Sequence, residues 1–219
     1  MILDETNDVS KRVRSIIPPN EGWLEYKLNS KELDYIWKCV DNSGHNTNAE
    51  LAGNISGSYQ LEDTDNWFFN NSILPLIKIY SNKFTNRGTT VPVFGRYPYT
   101  MATWWVNHQK QHEFNPIHLH TGVYSFVIWL KIPFSWEDQN RDNITNTPTK
   151  SCFEFSYNNI LGESSSYTYR TSTINEGTLL FFPSELKHIV YPFYNCNEDR
   201  VSVSGNVYID TPSIDSTDR

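Results

Sequence analysis

The sequence predicts a mostly-β protein, a jelly roll whose N-terminal part supplies helices packed on one face. Three observations carry this expectation. Aromatic residues make up 15% of the 219 residues and occur with Val, Ile and Thr in short runs, and such side chains fit a pleated surface. From residue 99 onward these runs recur at regular spacing with turn residues between them, the pattern of a sandwich or small barrel. Before residue 99 the apolar spacing is helical instead.

Residues 1–20 are polar, end in Pro18-Pro19 and read as a loose leader. Trp23 to Leu28 alternates and predicts a short strand. Ser30 is a capping-type residue that opens a helix, with Leu33, Ile36, Trp37 and Val40 at helical spacing. Asp41 to Asn48 is a loop, and Leu51 to Tyr59 is small and flexible enough to be another. A second helix is expected from Asp65, weakened or split at Pro75. Residues 21–98 thus form a helical cover, and residues 99–210 form the jelly-roll core of the same single domain, 1–219. In that core Tyr99 to Asn107 is a strand, and Ile117 to Ile132 reads as one long strand kinked at Gly122. A polar loop follows from Ser135 to Lys150. Shorter strands are expected over 152–157, 166–172, 178–182, 188–194 and 200–208, and residues 211–219 form a polar tail.

Composition excludes several classes. Asp and Glu outnumber Lys and Arg by 25 to 18, leaving a formal net charge of −7, which speaks against nucleic acid as an obligatory partner. No apolar run reaches the roughly 18 residues of a membrane span, and the acidic start is not a signal peptide. Three widely spaced cysteines, Cys39, Cys152 and Cys196, suit a reducing, cytoplasmic compartment.

The chemistry concentrates at three places. The first is His118-Leu119-His120. In an extended strand residues i and i+2 project from one face, so both rings point together. Imidazole is a general ligand for iron, zinc, copper and nickel. The second place is His188, 68 residues past His120, which only the fold can bring to the pair. The third is the last strand, where Arg200, Ser202, Ser204 and Asn206 share one face and Val201, Val203 and Val207 the other. That polar face belongs either to solvent or to the barrel interior. In the interior Arg200 needs an anion, since an unpaired buried charge is costly. Its planar fork suits a carboxylate, and the Ser202 hydroxyl would donate to the same group. Asn107, at the end of its strand, either contacts the same ligand or caps a turn. His108, His112 and His45 lie in polar connections and are expected in solvent. Trp104, Trp105, Trp129 and Phe126 are expected in the core. Phe134 to Lys150 and Ala49 to Gln60 are candidate lids.

The chain resembles the 2-oxoglutarate/Fe(II)-dependent dioxygenases, in particular the small oxygenases of tailed marine phages that are related to prolyl hydroxylases. The residues that carry the likeness are Trp105-Val-Asn107, Glu113-Phe-Asn-Pro-Ile-His-Leu-His-Thr-Gly122, Ser125-Phe-Val127, Phe182-Pro-Ser184 with His188, and Arg200-x-Ser202-x-Ser204-x-Asn206. They span residues 99–208, and the N-terminal part matches more loosely. The resemblance implies a double-stranded β-helix, or cupin-like, fold and a hydroxylase. Fe(II) would be held by His118, His120 and His188. Arg200, Ser202, Asn107 and Asn206 would bind 2-oxoglutarate, O₂ would be the oxidant, and ascorbate an auxiliary reductant. A phage enzyme would work in the host cytoplasm. The substrate would be a small molecule or a peptide side chain, with a peptidyl proline suggested by the prolyl hydroxylases.

One position departs from the superfamily signature. Where most of the superfamily carries Asp or Glu, this chain has His120, and the relatives it resembles also carry His-x-His. Either His120 is the ligand or a carboxylate from elsewhere, Glu113 being nearest, completes the site. Two other readings stay open from the residues alone. One is a three-histidine zinc hydrolase or cupin dioxygenase without 2-oxoglutarate. The other is a non-enzymatic phage binding or structural jelly roll, in which the three histidines do not converge.

Overall fold

The computed structural model describes residues 13–18 and 20–211. Most of the expected leader, residues 1–12 and 19, and residues 212–219 of the tail lie outside the described residues.

Two antiparallel sheets face one another. The elements run β1 (Leu24–Lys27), α1 (Ser30–Asp41), β2 (Gly57–Gln60), α2 (Leu74–Lys83), β3 (Tyr99–Gln109), β4 (Asn115–His118) and β5 (Tyr124–Lys131). They continue with α3 (Trp136–Asn140), β6 (Phe153–Asn158), β7 (Ser164–Tyr169), β8 (Thr178–Pro183), β9 (Lys187–Val190) and β10 (Arg200–Ile209). The six-stranded sheet has the order β1-β8-β5-β10-β3-β2, and the four-stranded sheet β4-β9-β6-β7. Apart from the β2–β3 and β6–β7 pairs, neighbours in both are non-consecutive in sequence, as in a jelly roll.

Helix α1 begins where expected, but its cap is Asn29 rather than Ser30. Asn29 Oδ1 accepts from the Glu32 amide at 3.1 Å, and Glu32 Oε2 accepts from the Asn29 amide at 2.9 Å, a reciprocal capping box. Ser72 and Tyr26 hydroxyls also donate to the buried Glu32 carboxylate. Pro75 does not split the second helix. The backbone is already helical at Phe68, Ile73 and Leu74, and the π-helical turn Phe69–Ile73 just before the proline is where the regular bonding pattern is interrupted next to a residue without an N–H. Ile36, Val40, Phe68, Ile73, Ile77 and Tyr80 from this region share one buried cluster with Trp104, Phe126, Phe181 and Val203 of the large sheet.

Two strand expectations need correction. Leu51 to Tyr59 is not all loop, because β2 pairs with β3 from Gly57↔His108 to Gln60↔Trp105. Ile117 to Ile132 is not one kinked strand. β4 belongs to the small sheet and β5 to the large one. The chain crosses between them at residues 119–123, where Gly122 takes φ +102°. A Cβ there would stand 2.7 Å from the Val207 carbonyl oxygen, so the crossover needs glycine both for its backbone and for its space. The loop expected over 135–150 contains the short helix α3.

On β10 the alternation resolves inward. Val201, Val203 and Val207 enter the large apolar cluster, while Arg200, Ser202, Ser204 and Asn206 line a cavity between the sheets. The polar face of the last strand is thus the inner face of the barrel.

Candidate metal and cosubstrate site

His118 and His188 are direct cross-strand partners on β4 and β9, with ring centroids 4.2 Å apart. That pairing accounts for how two residues 70 positions apart come to share a site. His120 does not lie on a strand. It follows β4 in the crossover, where its amide donates to the Ser184 carbonyl at 2.9 Å. Strand alternation is therefore not what brings His118 and His120 together; the turn that ends β4 does. One ligand-competent atom from each of His118, His120 and His188 lies within 4.8 Å of the others.

The ring nitrogens are sorted by their partners. His118 Nδ1 lies 2.7 Å from the Pro116 carbonyl oxygen, and His188 Nδ1 lies 3.0 Å from that of Leu186. His120 Nδ1 lies 2.8 Å from Asn206 Oδ1. Each Nδ1 faces an acceptor and so carries the proton. Each Nε2 is then left with its lone pair. The Nε2 atoms of His118 and His120 stand 3.3 Å apart with no proton between them. Burial lowers the pKa of all three imidazoles, that of His120 to about 4, with the neighbouring rings adding to the effect at His120 and His188. Neutral rings with converging lone pairs are metal ligands in waiting.

These rings form part of the wall of a cavity of about 210 Å³, open at one side. Arg200, Ser202, Asn107, Gln109, Trp105 and Trp129 contribute to the same wall. Arg200 is 2% exposed. Its Nε and Nη2 donate to Gln109 Oε1 at 3.0 and 2.6 Å, Nη1 to the Ser151 carbonyl at 2.6 Å, and Nη2 to that of Tyr191 at 3.1 Å. All of these acceptors are neutral. Among the described residues no carboxylate pairs with it, and desolvation pulls the guanidinium pKa down to about 10. The charge is held by dipoles and is not compensated, a state an anion in the cavity would relieve.

Residues 103–212, half of the chain, match the model of a family described as "Putative 2OG-Fe(II) oxygenase". The chain belongs to this family. Among solved structures it is similar to an oxidoreductase of the 2OG-Fe(II) oxygenase family from Burkholderia pseudomallei, at 12% identity and TM-score 0.54, covering 88% of this chain and 94% of that one. A Pseudomonas putida prolyl-4-hydroxylase is 14% identical with TM-score 0.48, covering 87% of this chain and 94% of the other. HygX from Streptomyces hygroscopicus, solved with nickel, 2-oxoglutarate and hygromycin B, is 10% identical with TM-score 0.44, covering 86% and 83%. The first of these shares the fold. A comparison with curated proteins gave no match.

As a 2OG-Fe(II) oxygenase the protein uses Fe(II), 2-oxoglutarate and O₂. The donor set fits the metal: three neutral imidazoles converge with one ring nitrogen of each within 4.8 Å of the others, and imidazole is a general ligand for iron. Three imidazoles alone would equally describe a zinc centre, and the family membership is what selects iron. Glu113, the alternative ligand, is occupied elsewhere. Its two carboxylate oxygens accept from the amides of Ser56 and Lys110, and it is absent from the ligand group among the described residues.

The remaining expectations divide. Ser202 faces the cavity and is half-buried. Asn107 also lines it, with Oδ1 accepting from the Ser58 hydroxyl at 2.8 Å. Asn206 is expected to touch the cosubstrate, but its Oδ1 is engaged by His120 and by the Ser125 hydroxyl. Trp104, Trp105, Trp129 and Phe126 are all buried in the core as expected, and Trp105 and Trp129 also contribute to the cavity wall. His45 and His112 are exposed and His108 half-buried, all apart from the ligand group. Of the two candidate lids only the one before β3 reaches the cavity, through Glu50 to Gly53, Ile55 and Ser58. Gly53 presses on Asn115 so closely that a Cβ would fall 2.0 Å from Asn115 Oδ1. Gln109, which fixes the Arg200 fork, carried no signal in the sequence beyond its place at the end of β3.

Among the described residues no helix is long and apolar enough to cross a membrane.

Proposed function

We propose that the protein hydroxylates a C–H bond of its substrate, with His118, His120 and His188 as the iron ligands and Arg200 and Ser202 as the anchor for the distal carboxylate of 2-oxoglutarate. The observation that carries this reading is a buried, uncompensated guanidinium on the wall of the cavity that also holds three converging imidazole lone pairs.

Iron together with 2-oxoglutarate supplies the oxidation of the substrate by O₂, coupled to loss of CO₂ from the cosubstrate. The chain's own groups bind and orient. Each Nδ1–H donates outward, so each Nε2 faces the metal position. Gln109 Oε1 occupies the Nε/Nη2 edge of Arg200, the edge a carboxylate would take bidentately. The cosubstrate carboxylate would share or displace this neutral acceptor, with the Ser202 hydroxyl as a second donor. Asn107 adds a polar group to the same wall. Trp129, Phe153 and Phe182, all buried, keep water from the inner end. The substrate would enter past residues 48–55. On the sequence resemblance alone, a peptidyl proline is the first substrate to test, ahead of small molecules.

The test measures succinate formed from 2-oxoglutarate with Fe(II) under air. We expect turnover by the parent protein, slow without substrate, and none in His188→Ala. Arg200→Gln should raise the 2-oxoglutarate concentration for half-maximal rate by about 10- to 100-fold, the cost of a lost charge-assisted pair. No succinate above the metal-free blank would overturn the activity. An unchanged 2-oxoglutarate requirement in Arg200→Gln would overturn the anchor.

A further inference from the structure

The three imidazoles differ in what holds their outer nitrogen. His118 and His188 are each held by a backbone carbonyl, of Pro116 and Leu186. His120 alone is held by a side chain, Asn206 Oδ1 at 2.8 Å. His120 is therefore the one of the three whose orientation depends on a replaceable side chain.

Asn206 is itself fixed on several sides. It is 7% exposed on β10. Its Oδ1 also accepts from the Ser125 hydroxyl at 2.9 Å, and Ser125 exchanges a hydrogen bond with Ser184 Oγ at 2.9 Å. Both serines are fully buried. Asn206 Nδ2 lies 3.5 Å from Thr103 Oγ1. The orientation of the amide has a chemical consequence. With Oδ1 toward His120, Nδ1 carries the proton and Nε2 offers its lone pair to the metal position. With the amide reversed, Nδ2–H would face Nδ1, the ring proton would move to Nε2, and His120 could not ligate. In the structure the oxygen stands at that place, with the Ser125 hydroxyl donating to it and Ser125 also bonded to Ser184 Oγ, where either hydroxyl can be the donor.

We infer that Asn206 is the positioning residue for His120: it selects the ligating tautomer of that ring and aims it, through a buried chain of Ser184, Ser125 and Asn206 that joins the ends of β8, β5 and β10. The inference rests on the reading of His120 as a metal ligand. Outer partners of ligating histidines are typically worth about 10- to 100-fold in metal affinity. In the neutral-ligand site the polarity of this partner sets how strongly the ring donates.

Co(II) serves as the probe, with its affinity measured by competition against a chelating indicator and its visible spectrum as a second readout. Asn206→Leu should weaken Co(II) binding about 10- to 100-fold and change the spectrum, while the metal-free protein keeps its circular dichroism. Asn206→Asp, which keeps the acceptor and adds charge, should bind Co(II) at least as tightly as the parent. Parent-like affinity and spectrum in Asn206→Leu would overturn the inference, as would weakened binding in Asn206→Asp. Should the leucine variant fail to fold, the isosteric aspartate carries the test: affinity equal to the parent's or tighter is expected, and weaker binding overturns it. His120→Ala separates the two layers of the argument. It should lose affinity, and adding Asn206→Leu to it should cost nothing further. Parent-like affinity in His120→Ala would instead remove His120 from the ligand set and with it the reading on which the inference stands.

Discussion

At the scale of single residues, the site depends on positions that do no chemistry. Gly122 is the clearest. Its φ of +102° and the 2.7 Å gap to the Val207 carbonyl leave no place for a Cβ, and it lies two residues from His120. Gly122→Ala should destabilise the fold by about 1–3 kcal/mol and weaken metal binding more than an equally destabilising change in the helical cover. Thermal melts with parallel Co(II) titrations test this, and equal effects on both would remove the link between the turn and the ligand. The histidine cluster was legible because histidines are few and three of them are spaced as a pair and a single. Arg200 was legible because a charged residue interrupts an otherwise valine-rich alternation. Gln109 and Ser125 were not. Nothing in a glutamine or a serine on a strand distinguishes the one that holds an arginine or an amide from the one that faces water. The role of Asn206 escaped for the same reason: the sequence placed it on the correct face but did not say which neighbour it would meet.

At the scale of elements, the strands of the core were readable and their partition between sheets was not. β3, β8 and β10 show plain alternation or apolar runs, and their bounds follow within a few residues. The break between β4 and β5 is hidden because both flanks are strand-forming, so only a glycine marks where the chain changes sheets. Pro75 misled for a related reason. Proline removes a backbone donor inside a helix, and the π-helical turn that stands before Pro75 carries no mark in the local sequence. Capping shows the same limit: Asn29 and Ser30 are both competent, and the reciprocal bond with Glu32 decides for Asn29. Asn29→Ala should cost about 1 kcal/mol, read as a lower denaturation midpoint in urea with unchanged slope. Ser30→Ala should leave the midpoint near that of the parent. The reverse order would return the cap to Ser30.

At the scale of the whole molecule, the candidate metal position bridges the two layers. His118 and His188 belong to the small sheet. His120 is tied to the large one through Ser184 and Asn206. A cation bound by all three would be bound by the native arrangement and not by the unfolded chain, so it should stabilise the fold by mass action. At 100 times its dissociation constant the gain is about 2.7 kcal/mol. Adding a chelator to the metal-loaded protein should therefore lower its melting temperature, and His188→Ala should melt at the same temperature with and without chelator. A melting temperature indifferent to metal in the parent would show that the ion does not join the two layers.

The cross-strand pairing of His118 with His188 has a bearing on how the chain reaches this state. Side chains on a strand alternate, so slipping β9 by one residue against β4 would turn His188 outward and bring Lys187 or Ile189 inward. Such a slipped sheet could keep nearly all of its backbone hydrogen bonds and still be blind to metal. Uptake of an ion by His118 and His188 together would therefore report strand register.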